Sequence, residues 1–378
     1  MSSITGTGQV AGSRDAVELV VVKIGSSSLT DDTGAIRVEA ITKLCDEAAA
    51  LRAAGHQVCV VSSGAVASGV AALGLAQRPS DMGTLQALSA VGQSRLMAVY
   101  NEALAAHGLI GAQVLLVPND FFDRRQYLHA RATLLRLLEL GTVPIINEND
   151  AIANDELRFG DNDRLAALVA QALGADRLVL LTDTPGLYTA DPRTDPTARL
   201  VEFVDEPDDL DVDVGGAGSD RGSGGMASKL AAARMASWSG VTAVIAKAQR
   251  PDVLAEAVAS VRGVGTIFAP HNRRLSARKL WIAFALAPAG AIVVDNGARA
   301  AVESQGRSLL AAGVREVRGE FDEGDAVDVV DEAGVRFARG LASAAAGTLR
   351  GCVGRRTADL PPGAPPEVLH RDDLVLLT

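Results

Sequence analysis

The sequence contains few cysteines, few aromatic residues and no long apolar run. Its three cysteines, Cys45, Cys59 and Cys352, are widely spaced and form no CxxC pair, so we expect buried reduced thiols and no structural zinc. No apolar stretch approaches the roughly 20 residues of a membrane-spanning helix, and residues 1–16 lack the hydrophobic core of a signal peptide. These absences argue against a membrane protein, and we expect a cytoplasmic one.

The composition is typical of a soluble globular protein. Hydrophobic residues make up 48% of the 378 residues, charged residues 22% and aromatic residues 3%. Because so long a chain exceeds a typical single core, we expect two domains. The net charge is −10. Residues 271–378 carry 14 Lys and Arg and 14 Asp and Glu, so residues 1–270 carry the other 22 basic and 32 acidic residues. This acidic excess argues against a general nucleic-acid-binding surface in the first part.

Short β-branched runs alternate with helical patterns over the first two thirds of the chain. Strands are predicted at 19–24, 58–61, 113–117, 142–146, 177–181 and 242–246, and helices at 38–54, 130–140 and 226–237. The alternation predicts an α/β fold with a mainly parallel central sheet that is sandwiched by helices.

The two ends of the chain differ from this pattern. Residues 1–16 are rich in Gly and Ser and aperiodic, which predicts a disordered tail. We expect residues 17–270 to form the α/β domain and residues 271–280 a linker. Residues 281–378 contain short strand-like runs punctuated by Gly, Pro and Asp, which predict a small β-rich domain.

One segment, NENDAIANDELRFGDNDR at 147–164, concentrates short polar and acidic side chains. NEND follows a predicted strand, so it lies at the carboxyl edge of the sheet, where open α/β sheets bind ligands. GDND precedes an apolar-periodic run, and one of its residues is expected to cap that helix. The remaining carboxylates and amides suit an ammonium group, a metal or a zwitterion such as a free amino acid. The alternative is a solvated acidic loop with one helix cap.

Four further segments at predicted strand ends suit an anion. Lys23 precedes a Gly-Ser loop whose backbone amides could cradle phosphate, although it lacks the GxxxxGK[ST] pattern of a P-loop. Ser62-Ser63-Gly64 opens a helix, and residues 181–192 leave a buried strand through a long polar loop. Residues 215–225 are rich in Gly and lead into a helix with Lys229 one turn inside. The alternative for Lys23 is a strand lysine with its amine in solvent. The alternative for Ser62-Ser63-Gly64 is an ordinary serine cap, and that for residues 215–225 is a flexible linker.

Seven collinear motifs resemble those of the glutamate 5-kinases, a group within the amino acid kinase family. They are VVKIGSSSLT at 21–30, VSSGAVASG at 61–69, VGQSRL at 91–96, VPIINENDAIA at 143–153, FGDNDRLAALVA at 159–170, LLTDTPGLYTADPR at 180–193 and GSGGMASKL at 222–230. NEND together with GDND distinguishes this group from the acetylglutamate, aspartate, carbamate and uridylate kinases of the same fold. The run from 287 to 331 resembles the PUA domain, an RNA-associated β-barrel. The resemblance therefore implies an amino acid kinase fold followed by a small PUA-like barrel.

Matched position by position, the resemblance implies a set of site residues. The candidates for catalysis are Lys23, Lys229 and Asp161; those for glutamate binding are Ser63, Asp150, Asn162 and Asn147; those for ATP binding are Lys23, Gly25, Thr182, Asp183, Ser223, Gly224, Gly225, Met226, Ala227, Ser228 and Lys229. No residue is assigned as a protein ligand of a metal, and Asp161 and Asp163 are candidates to help organise the metal or Lys229. Ser223 stands where the group usually has threonine, and it keeps the hydroxyl.

The implied reaction transfers the γ-phosphoryl group of ATP, with Mg²⁺, to the side-chain carboxylate of L-glutamate, the first step of proline biosynthesis. The resemblance further implies inhibition by L-proline, a homo-oligomer that is a dimer or a tetramer, and γ-glutamyl phosphate reductase as a candidate partner. A kinase for aspartate or acetylglutamate is the nearest alternative. RNA binding by the second domain is not expected as the main function, because its charge is balanced and aromatic residues are few.

Overall fold

The computed structural model describes residues 17–152, 161–192, 194–205, 225–271 and 275–377. Within these residues an α/β domain is followed by a separate β-rich domain, which confirms the fold class expected from the sequence. All three cysteines are buried and unpaired, and burial raises the pKa of Cys45 to about 12. None of the helices in these segments combines the length and the apolar character that crossing a membrane requires.

Eight strands form the central sheet of the α/β domain within the described residues. They are β1 (Leu19–Ile24), β2 (Gln57–Val61), β3 (Gly111–Leu116), β4 (Val143–Glu148), β5 (Arg177–Thr182), β6 (Phe203–Val204), β7 (Thr242–Lys247) and β8 (Gly265–Phe268). Their order is β3-β4-β2-β1-β5-β7-β8-β6, and neighbours are parallel except β7 and β8. The carboxyl ends of β1, β2, β4 and β5 therefore meet at one edge of the sheet.

Helices cover both faces of this sheet, as its buried β-branched strands require. The helices of the α/β domain are α1 (Ser26–Leu29), α2 (Val38–Ala53), α3 (Ala65–Ala72), α4 (Met82–Ala105), α5 (Arg124–Glu139), α6 (Asn162–Leu173), α7 (Met226–Ser237) and α8 (Val253–Val258). The core on one face comes from α5, α6 and α7, and the core on the other from α2, α4 and α8. Along β1 the side chains alternate between them, with Val21 in the first core and Val20 and Val22 in the second.

Two glycines allow α3 and α4 to touch through their backbones. A Cβ atom added to Gly92 would lie 1.8 Å from the carbonyl oxygen of Ala65, and one added to Gly69 would lie 2.0 Å from that of Leu88. No side chain fits either gap, so α4 is held directly against the start of α3. This contact fixes the part of α4 that faces the carboxyl edge of the sheet.

The second domain is built on five strands within the described residues. These are β9 (Gly290–Val294), β10 (Val314–Gly319), β11 (Ala326–Val330), β12 (Arg336–Leu341) and β13 (Leu374–Leu376), in the order β10-β9-β11-β12-β13. Helices α10 (Asn296–Gln305) and α11 (Ala346–Arg350) accompany the sheet. Ile292, Val327 and Phe337 lie in a hydrophobic core of its own.

The segment between the domains packs against both. A short helix, α9 (Ala277–Leu280), buries Ala277 and Leu280 in the core that contains α6 and α7. It runs into a π-helical turn (Trp281–Ala285), where Ile282 and Ala283 pack against Val375 of the second domain. Thus part of the predicted linker at 271–280 is helical and packed on the α/β domain. The domain bounds themselves stay a prediction.

Candidate active site

The predicted ligand segments meet at the carboxyl edge of the sheet. Lys23 lies near the end of β1, Ser63 follows β2, Asp150 follows β4, and Thr182 ends β5. The helices α6 and α7 begin at the same edge and bring Asn162 and Lys229 with them. The structure therefore brings the amino-acid candidates and the phosphate candidates of the sequence together in one crevice.

A single buried carboxylate joins the two lysines. Asp163 in the first turn of α6 contacts Lys23 Nζ through Oδ1 at 2.7 Å and Lys229 Nζ through Oδ2 at 3.1 Å. The three side chains are between 1% and 7% exposed. They come from β1, α6 and α7, so the cluster ties a strand to the starts of two helices. Two lysine side chains thus share this one carboxylate.

The pKa shifts reflect competition between burial and pairing. Burial lowers the pKa of Lys23, as does the nearby Lys229 ammonium, while Asp163 opposes both. Burial alone would raise the pKa of Asp163, but Lys23 and Lys229 hold it below its usual range. The carboxylate therefore stays ionised and keeps two positive charges close together. Two lysine ammonium groups at the end of a strand and the start of a helix suit an anionic ligand.

Asp161 has a different set of partners from Asp163. It caps α6 by accepting from the Arg164 backbone N–H at 3.3 Å, and its Oδ2 lies 2.8 Å from Arg164 Nε. Its Oδ1 accepts a hydrogen bond from the Ser228 hydroxyl in the first turn of α7. Asp161 thus joins the starts of α6 and α7, whereas Asp163 contacts the lysines. Its predicted part in catalysis stays a prediction.

A chain of side-chain amides links α4, β4, α6 and Ser63. Asn147 Nδ2 donates to Gln93 Oε1 at 2.9 Å, and Asn162 Nδ2 donates to Asn147 Oδ1 at 3.1 Å and to Ser63 Oγ at 3.0 Å. The Glu148 backbone N–H also donates to Asn147 Oδ1, at 2.9 Å. Because a backbone N–H can only donate, this contact identifies the Asn147 acceptor atom as Oδ1. It thereby fixes the direction of the other hydrogen bonds in this amide chain.

The direction of the hydrogen bonds in this amide chain decides which donors and acceptors remain for a ligand. Ser63 Oγ accepts from Asn162, so its own hydroxyl proton is available to donate to a further group. Among the described residues, Asn162 Oδ1 and Gln93 Nε2 are buried without a hydrogen-bond partner. An unsatisfied buried polar atom costs about 1–3 kcal/mol. The pocket therefore keeps unused donor and acceptor capacity next to the lysine cluster.

Asp150 is a buried carboxylate beside this chain. Its Oδ2 accepts from Ser89 Oγ of α4 at 2.7 Å. Burial raises its pKa, while the Ser89 hydrogen bond and the charge of Arg78 counteract part of that rise. The remaining oxygen, Oδ1, can accept from an ammonium group. The part of Asp150 and Asn162 in binding a zwitterion stays a prediction.

The ATP-binding candidates lie on the lysine side of the crevice. Gly25 follows β1, and a Cβ atom there would lie 3.5 Å from Lys23 Nζ; Thr182 Oγ1 donates to Asp183 Oδ1 at 3.1 Å. The other described candidates, Gly225, Met226, Ala227 and Ser228, form the start of α7. Ser223 and Gly224 lie outside the described residues. Where the structure describes the chain, no group of three or more His, Cys, Asp or Glu side chains could hold a metal.

Two residues at the site, Gln93 and Ser89, were absent from the candidates, and Asp163 was considered only together with Asp161. Asp163 was visible in GDND and Gln93 in VGQSRL, but neither motif shows which side chain contacts which. Ser89 carries no motif signal, because a serine within a helical pattern is usually only a small helix residue. Their roles depend on α6 and α4 crossing at the end of β4, which single-sequence patterns do not reveal.

The chain is similar to known proteins along most of its length. The model of the amino acid kinase family matches residues 18–247, and that of the PUA domain matches residues 290–361. The glutamate 5-kinase of Methylibium petroleiphilum is 46% identical over 363 residues, 94% of this chain and 97% of the relative. The glutamate 5-kinase of Gloeobacter violaceus is 48% identical over 367 residues, which cover 95% of this chain and 99% of the relative. The glutamate 5-kinase of Thermobifida fusca is 47% identical over 382 residues, which cover 99% of this chain and 97% of the relative.

The Asp163 contacts predict a large effect on stability. We expect Asp163→Asn to lower the free energy of unfolding by about 3–5 kcal/mol at pH 7, because it removes the buried carboxylate that contacts both Lys23 and Lys229. The folded pKa of Asp163 is lowered, so its contribution is present above the unfolded pKa of about 4 and is lost as the pH falls through the folded value. The difference between variant and wild type should therefore shrink under acid conditions.

Urea denaturation followed by tryptophan fluorescence measures this difference. Asp161→Asn is the matched control, because an asparagine can still cap α6 and the altered side chain is 24% exposed. We expect the control to lose at most about 1 kcal/mol. Equal stabilities for Asp163→Asn and wild type at pH 7 would contradict the assigned pairing.

Proposed function

The chain belongs to the amino acid kinase family and is therefore a kinase, and we propose that it phosphorylates the γ-carboxylate of L-glutamate with ATP. The products are γ-glutamyl phosphate and ADP, and the reaction is the first step of proline biosynthesis. The observation that carries the proposal is the position of the Lys23–Asp163–Lys229 cluster next to the Asp150 and Asn162 pocket. A cationic cluster suits the phosphoryl group, and the neighbouring acceptors suit an amino acid. The identity of the curated relatives supports glutamate as that amino acid.

Recognition of glutamate is divided among the pocket residues. Asp150 accepts from the substrate ammonium group, and Asn162 Oδ1 is a second acceptor for it. The Ser63 hydroxyl donates to a substrate carboxylate, because its oxygen already accepts from Asn162. Asn147 does not need to touch the substrate, since both ends of its amide are engaged with Gln93 and Asn162. We assign Asn147 to orienting Asn162.

The transfer step needs no general base. A γ-carboxylate is ionised at neutral pH, so one of its oxygens can attack the γ-phosphorus directly. As that O–P bond forms, the bond from phosphorus to the β,γ-bridging oxygen breaks, and ADP leaves with the electron pair. Lys23 and Lys229 neutralise charge on the transferring group and on the leaving phosphate, while Asp163 keeps both ammonium groups in place. Catalysis in this scheme consists of positioning and charge neutralisation.

The nucleotide is assigned to the loops around the lysines. We propose that Gly25, Thr182, Asp183 and the start of α7 bind ATP, with Ser223 and Gly224 contributing from the segment before it. Mg²⁺ typically enters such sites on the phosphates, keeps several waters and uses few carboxylates, which fits a site without a cluster of metal-ligating side chains in the described residues. When bound, it would offset charge on the β- and γ-phosphates, and Asp161 is the nearest candidate carboxylate from the sequence. Lys23 and Lys229 supply the protein's own positive charge.

The remaining expectations concern the setting of the reaction. We propose residues 17–270 as the catalytic unit, a cytoplasmic location, a dimer or tetramer, and γ-glutamyl phosphate reductase as the partner that takes the product. The second domain is not assigned RNA binding as a main role, since residues 271–378 carry balanced charge. Arg339 donates to the carbonyl oxygens of Ala283 and Leu286, each at 2.9 Å, so this domain also supports the segment that packs on α6 and α7.

A panel of acceptors tests the proposed substrate. With ATP and Mg²⁺ fixed, we expect glutamate-dependent ADP release, with kcat/KM about 10–200-fold lower for aspartate, which is one methylene shorter. Acetylglutamate, which lacks the ammonium group that Asp150 accepts from, should react more slowly still. Trapping with hydroxylamine should give the γ-hydroxamate. A kcat/KM for aspartate or acetylglutamate that equals or exceeds that for glutamate would reject the proposal.

Inhibition by L-proline is the regulatory part of the proposal. Proline shares the α-carboxylate and cationic nitrogen of glutamate but has no side-chain carboxylate to phosphorylate. A pocket built on Asp150 and Asn162 could hold either ligand by that common end. Asp150→Asn should therefore weaken glutamate binding and proline inhibition together, each by about 1.5–3 kcal/mol.

The measurement is glutamate saturation at several fixed proline concentrations, for wild type and Asp150→Asn. We expect inhibition that rising glutamate relieves and that hardly depends on ATP. A variant that loses glutamate affinity but keeps full sensitivity to proline would place the inhibitor in a separate site.

A further inference from the structure

One face of α4 holds two buried polar side chains that contact the amino-acid pocket. Ser89 and Gln93 are four residues apart, so they lie one above the other on the same side of the helix. Ser89 Oγ lies 2.7 Å from Asp150 Oδ2, and Gln93 Oε1 accepts from Asn147 at 2.9 Å. One helix face thus reaches both halves of the pocket, the carboxylate and the amide chain.

The position of this face is tightly constrained. Asp81 caps α4, and the Gly92 contact holds the helix against the Ala65 carbonyl at the start of α3. About two turns further on, Tyr100 and Ser62 share a hydrogen bond of 3.0 Å next to the end of β2. With these contacts on either side of it, Gln93 cannot shift without breaking packing. Side chains on so rigid an element can hold others in place.

We propose that Ser89 and Gln93 are positioning residues of the amino-acid site, Ser89 orienting Asp150 towards the substrate ammonium group and Gln93 orienting Asn147, Asn162 and Ser63. Neither is assumed to touch the substrate. The proposal rests on the proposed function and adds the residues that determine how the pocket is presented. It follows from the juxtaposition of α4 with the segment after β4, where Ser89 and Asp150 are both buried.

Ser89 acts on the charge of Asp150 as well as on its direction. Burial favours the neutral carboxylic acid, whereas an ammonium ligand requires the ionised form. The Ser89 hydroxyl donates to one oxygen and lowers the pKa of Asp150, and among the described residues Arg78, in the segment between α3 and α4, is the charged group that acts in the same direction. Without Ser89, the pKa of Asp150 rises further. A larger share of the enzyme is then protonated at a given acidic pH.

Gln93 acts through the direction of the amide chain. Its Oε1 takes the Asn147 Nδ2 proton, which leaves Asn147 Oδ1 for Asn162 and for the Glu148 N–H. Loss of this acceptor leaves a buried N–H unpaired and permits Asn147 to turn. Asn162 then loses a fixed partner, and the Ser63 hydroxyl loses its direction. No group needs to change its protonation for that effect.

The test compares Ser89→Ala and Gln93→Met with Ser94→Ala in the full-length protein. Ser94 is an exposed serine of the same helix that bonds only to the Val91 carbonyl in the described residues, so its alanine variant is the matched control. Glutamate saturation at fixed ATP should show KM raised about tenfold in both test variants, with kcat and the KM for ATP within about twofold of wild type. Thermal unfolding of each variant checks that the fold is kept. Should Ser89→Ala not fold, Ser89→Cys, a weaker donor of similar size, takes its place.

The pH profile separates positioning from a structural effect. The acid limb of kcat/KM for glutamate reports groups of the free enzyme and the free substrate. The substrate's own titration is common to all variants, so Ser89→Ala should move this limb to higher pH, while Gln93→Met and Ser94→Ala should leave it unchanged. A Ser89→Ala variant with the wild-type KM or the wild-type acid limb would overturn the assignment of Ser89; an unchanged KM in Gln93→Met would overturn that of Gln93. Absence of glutamate-dependent ADP release in wild type would instead reject the proposed function.

Discussion

The buried contact of Asp163 with Lys23 and Lys229 is the constraint on which the rest of the site depends. Isolated ammonium groups are costly to bury, and two of them side by side are costlier because they repel. One carboxylate offsets that repulsion only if β1, α6 and α7 place their side chains within about 3 Å of it. The fold therefore has to align a strand with two helix starts. The same contact holds two lysine side chains at the place that we propose for the transferring phosphoryl group.

The start of α6 explains how one short motif serves both halves of the crevice. Asp161 is the N-cap of α6, and Asn162 and Asp163 are its first two residues, which point about 100° apart. Asp161 faces α7 through Ser228, Asn162 faces the amide chain, and Asp163 faces the lysines. The lysine contacts and the amide chain are therefore held at a fixed separation by adjacent residues at the start of α6. Any change in the path of α6 would disturb both sides at once.

Much of the fold followed from the sequence because the strands of this sheet are short β-branched runs with clear breaks. The predicted strand at 142–146 and the observed Val143–Glu148 differ by one residue at the start, and the predicted helix at 38–54 ends one residue later than Val38–Ala53. Phe203–Val204 was missed because two residues carry no periodicity. The long α4 was missed because its buried small residues, such as Gly92, mask an amphipathic pattern.

The site was predictable as a set of loops but not as a set of contacts. Strand ends indicated which residues would meet, and family resemblance named most of them. Patterns could not show that Asp163, rather than Asp161, pairs with the lysines, because both carboxylates sit in the same motif and only the helix rotation separates them. Nor could they show Ser89 against Asp150, a contact between residues 61 positions apart.

The central claim is that Lys23 and Lys229 act together on the transferring phosphoryl group, and steady-state kinetics of Lys23→Met and Lys229→Met test it most directly. Methionine keeps the length of the side chain without the charge, and Lys279→Met on α9 serves as the matched control. The account predicts that each site variant folds, retains a near-normal KM for glutamate and loses about 10²–10³ in kcat, while the control keeps wild-type kcat. A folded Lys23→Met or Lys229→Met variant with wild-type kcat would contradict it.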